Sequence, residues 1–117
     1  MKRAYKLLTF QAAALVGAGL MMATVSEMTK AAPPAATVEI GNFTFKNPTL
    51  TVKPGTTVTW TNGDDIPHTV VAKDLHTFRS KVLDTGDKFS FTFAKAGSFG
   101  YFCSLHPHMT GVIIVKA

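Results

Sequence analysis

Residues 97–111 read GSFGYFCSLHPHMTG. The stretch holds the chain's single cysteine, Cys103, with His106 three residues on and Met109 three beyond that. A thiolate, an imidazole and a thioether within seven residues are donors that a soft or borderline metal takes. His68, at the head of an apolar run well upstream, brings a second imidazole. Two His, one Cys and one Met fit a trigonal His₂Cys copper site with a long axial thioether. Given the four His and five Met of this chain, a His at +3 and a Met at +6 from its cysteine arise together by chance only about 0.0015 of the time, so accident is a poor account of the pattern.

Outward from the motif the chain reads as short strands between turns. Val38 and Ile40 alternate; the phase slips at Gly41-Asn42, which reads as a bulge, and resumes at Phe43 and Phe45. Leu50 and Val52 lead into Lys53-Pro54-Gly55, where proline pre-sets φ and glycine takes the positive φ of a turn. Residues 56–61, TTVTWT, put Val58 and Trp60 on one face and threonines on the other. After the NGDD loop at 62–65, HTVVA at 68–72 reads as the start of a strand, and 74–84 as an irregular segment along one edge. DTGD at 84–87 turns again, and Phe89, Phe91 and Phe93 alternate with Ser90 and Thr92. KAG at 95–97 turns, a strand runs to Cys103, and GVIIVK at 111–116 closes the domain. Seven or eight strands near ten-residue spacing predict an all-β sandwich or barrel. Trp60 and the phenylalanines read as core, because their period of two matches one sheet face.

The N-terminus differs. Lys2, Arg3 and Lys6 precede LLTFQAAALVGAGLMMATV at 7–25, which has no charge. A positive start before an apolar run is the pattern of a secretory signal, here 1–31. The run is also long enough for an uncleaved anchor. AAPPAA leads into a linker at 32–37, followed by the domain at 38–117. The full chain carries a net charge of +5. Without residues 1–31 it keeps eight basic and six acidic residues, a net charge of about +2, and has no Lys/Arg cluster of the kind a nucleic acid requires. An exported chain with one cysteine cannot close an internal disulfide. Its thiol is then a liability unless something occupies it. A buried cysteine acting as a small hydrophobe is the inert alternative.

These residues resemble the cupredoxin family of type 1 blue copper proteins. The C-x-x-H-P-x-M form of residues 103–109 is most similar to the short ligand loop of amicyanin, a relative of plastocyanin. Asn42, Phe43 and Phe45 match an early N-F-x-F strand; Leu50, Val52 and Gly55 match L-x-V-x-x-G; Pro67-His68 matches a strand ending in a ligand His; Tyr101 and Cys103 match Y-x-C. The resemblance covers about residues 38–115. It implies a Greek-key β-sandwich with the metal at one end, and a single type 1 copper held by His68, Cys103, His106 and Met109. It also implies that the Thr69 N–H lies near the sulfur. Many members carry Asn at that position, whose side chain tethers the ligand loop; Thr69 offers a shorter tether, toward Ser104. In the family the second ligand His, here His106, is the partly exposed one through which electrons leave.

Function follows as expectation. The first reading is a periplasmic electron carrier cycling between Cu(I) and Cu(II), expected to act as a monomer. Redox partner proteins would dock on an apolar patch around His106, Pro107 and Met109. No membrane association is expected after signal cleavage. The alternative is a copper-handling protein that buffers or delivers the ion. A structural zinc site fits less well, since thioether is a poor zinc ligand. No enzyme is expected: there is no nucleophile elbow and no phosphate-cradling glycine loop, and four ligands leave no open metal position. His76 reads as a surface residue. His108 reads the same way, with a transient role in copper loading as the sharper option. Phe102 is expected opposite Cys103, packed or docking.

Overall fold

In the computed structural model, which describes residues 33–117, the chain forms eight strands. They are β1 (Ala35–Gly41), β2 (Thr44–Phe45), β3 (Thr49–Val52), β4 (Thr56–Asn62), β5 (Val71–Ala72), β6 (Lys88–Phe93), β7 (Gly97–Cys103) and β8 (His106–Val115). One sheet has the order β2-β1-β4-β6, the other β3-β8-β7-β5. Hairpins alone do not generate this arrangement, because β1 runs parallel to β4 and β3 parallel to β8. Among the described residues no helix is long and apolar enough to cross a membrane.

The leader read over 1–31 lies outside the described residues, as does Ala32. The remainder of the 32–37 linker is corrected, because β1 already begins at Ala35. Ala35, Ala36 and Thr37 pair with Thr57, Val58 and Thr59, and the Thr57 N–H donates to the Pro34 carbonyl at 3.0 Å. Proline excludes helix but suits the entry to an extended strand. The pairing partner lies some twenty residues away and leaves no mark on the local sequence.

The alternation in β4 holds: Thr56, Val58, Trp60 and Asn62 are buried, and the threonines between them face outward. On that outer face Thr57 and Thr92 share a hydroxyl hydrogen bond of 2.7 Å, and Thr59 and Ser90 one of 2.6 Å. Trp60 sits among Phe78, Phe89, Phe93 and Tyr101, with ring centroids 5.3–6.4 Å away. β6 lies at a sheet edge, so Phe93 is fully buried while Phe89 and Phe91 are half-covered.

Three local expectations change. The slip at Gly41-Asn42 is a two-residue hairpin turn, not a bulge. Ile40 pairs with Phe45 and Gly41 with Thr44, while Asn42 and Phe43 take φ of 52° and 57°, the left-handed pair of a type I′ turn. Phe43 therefore projects outward, 54% exposed. HTVVA is strand only at Val71–Ala72. His68 is held instead by an isolated bridge to Leu83, through the segment that looked irregular. Finally, the last strand starts at His106, five residues before Gly111.

Candidate metal centre

The centre is built where β7 turns into β8. Cys103 ends β7, Ser104-Leu105 make the turn, and His106 opens β8. Cys103 pairs with His106, but its neighbour Phe102 pairs with Thr110. Pro107, His108 and Met109 are therefore extra residues with no cross-strand partner. Pro107 lacks the N–H a ladder needs, so looping out at this point costs little. A bulge re-aims side chains; here Met109 goes inward and His108 outward.

His68 reaches the same place from the segment that leads into β5, which flanks β7 on the side away from β8. Its N–H donates to Leu83 O at 3.1 Å, and Leu83 N–H donates back at 2.8 Å. Asn62, wholly buried, braces this loop by donating to the carbonyls of Ile66 and Leu83, both at 2.9 Å.

Cys103 Sγ lies 3.7 Å from His68 Nδ1 and 3.6 Å from His106 Nδ1. All three donor atoms fall within 4.8 Å of one another. With metal–sulfur near 2.3 Å and metal–nitrogen near 2.0 Å, a trigonal ion needs S···N separations of about 3.7 Å, so the donors stand at the spacing one ion requires. His68 and Cys103 are fully buried, His106 half-buried and Met109 5% exposed. A buried sulfur beside two imidazoles is a borderline-to-soft donor set, which suits copper. His76 and His108 are exposed and outside the cluster; Phe102 is half-buried.

The sulfur is prepared for metal. Burial pushes the Cys103 thiol up, but the Thr69 N–H, the two imidazoles and the Leu105 backbone outweigh it and hold the group at about 6, below the ordinary 9.0. The thiolate is the form that binds metal. Thr69 N–H donates to Sγ at 3.4 Å. Its hydroxyl takes the Ser104 N–H at 2.7 Å and shares a 2.8 Å hydrogen bond with Ser104 Oγ. The short tether expected from Thr69 is therefore present and joins the His68 loop to the Cys103 turn.

Sequence reasoning missed Asp64 and Phe43. Asp64 Oδ2 lies 2.7 Å from His68 Nε2. Its carboxyl is held at about 2, first by the Phe43 N–H, then by His68 and the Asn42 N–H. The only local signal was a carboxylate four residues before His68. Phe43 stands edge-on to both imidazoles, at 5.9 Å from His68 and 5.1 Å from His106; nothing in the sequence pointed to that.

The family model described as a cupredoxin-like domain matches residues 12–115. Amicyanin of Paracoccus versutus is 37% identical over 86 residues, covering 70% of this chain and 65% of that protein. The chain thus spans just under two thirds of that relative. Amicyanin-alpha of Methylorubrum extorquens is 32% identical, covering 94% of this chain and 92% of the relative. Among solved structures, a purple cupredoxin from Nitrosopumilus maritimus superposes with a TM-score of 0.65 at 34% identity, covering 69% of this chain and 99% of the other. Eight strands in two sheets, three converging donors and a family match over most of the chain agree: the protein belongs to the cupredoxin-like family, with a single type 1 copper as its cofactor.

Proposed function

We propose that the protein is an electron carrier, exported to the periplasm, that holds its copper on His68, Cys103, His106 and Met109. The observation that carries this reading is the cluster of Cys103 Sγ and two imidazole nitrogens at 3.6–3.7 Å, fixed from two separate loops. Bound copper supplies the one-electron couple. The chain's own residues do the rest. Cys103 supplies a thiolate at the end of a paired strand, a covalent route into the sandwich. His68 is shut away from solvent, whereas His106 is half-open. Met109, a weak donor, favours Cu(I) and tends to raise the potential. Thr69 and Ser104 lock the two loops together, so the donors keep their places as charge changes, which lowers the barrier to electron transfer.

Electrons leave through His106. Beside it stand exposed apolar side chains, Phe43 at 54%, Leu105 at 46% and Pro107; Met109, expected in this patch, faces inward instead and is only 5% exposed. A redox partner protein docks on that face. Export is supported by the charged and apolar pattern of the leader.

The test is the visible spectrum of the chain after Cu(II) addition, beside Cys103→Ser. An intense thiolate-to-copper band is expected, lost in the variant and bleached reversibly by reductant. A pale product, or a chain that keeps only Cu(I), overturns the carrier reading in favour of copper handling.

A further inference from the structure

The carboxylate of Asp64 makes three contacts, to two separate parts of the chain. Oδ1 accepts the Asn42 N–H at 2.9 Å, and Oδ2 accepts the Phe43 N–H at 3.0 Å. Oδ2 also lies 2.7 Å from Nε2 of His68. The Asp64 side chain is 14% exposed and that of His68 not at all, so water competes poorly for this ring nitrogen. Asp64 is itself held at both ends. Its N–H donates to Asn62 Oδ1 at 2.8 Å, and its carbonyl accepts the Thr85 hydroxyl at 2.6 Å.

Two consequences follow from one group. A carboxylate acceptor at Nε2 selects the tautomer with its proton there, leaving Nδ1 bare and facing Cys103 Sγ. The same carboxylate caps a turn in which Asn42 and Phe43 are both left-handed. A large aromatic residue is uncommon in that region and needs its surroundings to hold it. Held there, the Phe43 ring stands at 89° to both His68 and His106. It lies against both imidazoles on the outer side.

We propose that Asp64 is a positioning residue of the copper centre: one carboxylate that fixes the ring of His68 and, through the β1–β2 turn, sets Phe43 against both imidazoles. The proposal rests on the reading of His68 and His106 as ligands. A negative charge behind a ligand imidazole raises its basicity and favours the more positive metal state. Removing that charge therefore weakens Cu(II) more than Cu(I), and the potential rises.

The test uses the full chain carrying Asp64→Asn, an isosteric change that removes the charge and cannot accept all three hydrogen bonds. In the metal-free protein, nitrogen NMR of the histidine rings is expected to show His68 fixed as the Nε2–H tautomer in the wild type. In the variant the tautomers mix and the Phe43 amide proton moves upfield. In the copper protein, Cu(II) dissociation is expected to rise 10–100-fold. The Cu(I):Cu(II) ratio at a fixed applied potential is expected to rise about tenfold, equivalent to about 59 mV for one electron. If the variant only unfolds at lower denaturant, with tautomer, affinity and midpoint unchanged, Asp64 is a turn brace and the proposal is overturned. Should Asp64→Asn not fold, Asp64→Glu keeps the charge while displacing it, and the same readouts are expected to move the same way by less; no movement overturns the proposal. A wild-type chain without the thiolate-to-copper band overturns the ligand reading instead, and the metal-free tautomer measurement still decides whether Asp64 holds His68.

Discussion

Thr69 shows how much a single side chain contributes at this centre. Its N–H reaches the Cys103 sulfur and its hydroxyl holds Ser104. Thr69→Val keeps the shape and the N–H but strips the hydroxyl, leaving the Ser104 N–H without its partner. A loss of about 1 kcal/mol is expected on denaturant unfolding of the metal-free protein. The visible band should move little, because the N–H bond to sulfur at 3.4 Å remains and only the longer hydroxyl contact at 3.8 Å is lost, while electron self-exchange slows as the two loops come untied. Self-exchange as fast as in the wild type would show that the tether does not keep the donors in place. This tether was legible in the sequence once Thr69 was read as the residue after the first ligand. Asp64 was not. Its partners Asn42 and Phe43 lie some twenty residues away, and a carboxylate in a loop has no reason to be singled out until folding brings a turn and a ring nitrogen to it.

Among the elements, the β7–β8 hairpin does most to make the site. Its register jumps between Phe102 and Cys103, and the three residues looped out include Met109. The jump needs a firm anchor beside it, and Gly111 opposite Tyr101 provides one. A Cβ on Gly111 would fall onto the Tyr101 ring, 2.9 Å from Cε1 and closer still to its outer end. Tyr101 is fully buried and has nowhere to move. Gly111→Ala is therefore expected to cost about 1–3 kcal/mol by overpacking, read as a lower denaturant midpoint of the metal-free protein. A midpoint within error of wild type would mean that the ring moves aside. The sequence located both strands of this hairpin but placed the start of the second at Gly111. Strand signals rest on alternation, and residues 106–110 do not alternate because the bulge absorbs three of them. HTVVA erred the opposite way: four apolar or β-branched residues after His68 look like a strand, yet only two find a paired neighbour.

At the scale of the whole molecule, Trp60 joins the two sheets. It lies on β4 in one sheet and packs edge-on to Tyr101 of β7 in the other, at 5.3 Å. It also stacks on Phe78, from the irregular segment, at 5.8 Å. Trp60→Ala is expected to cost about 3–5 kcal/mol, a large share of the roughly 5–15 kcal/mol that holds a domain together. The check is thermal unfolding followed by circular dichroism; a small shift in midpoint would mean that the surrounding rings collapse into the space. The sequence by itself determined the all-β class, the inward faces of β4 and β6, the turns at Pro54-Gly55 and Gly86, and the pairing of Cys103 with His106 at one end of the sheet, because alternation, turn chemistry and close spacing are local properties. Tertiary structure alone decided the parallel pairing of β1 with β4, which turned a supposed linker into strand. It alone decided the bridge that fixes His68 and the meeting of Asp64 with the Asn42-Phe43 turn. Those features depend on hydrogen bonds between residues far apart in the chain, and a backbone group carries no sequence signature of the distant partner that will satisfy it.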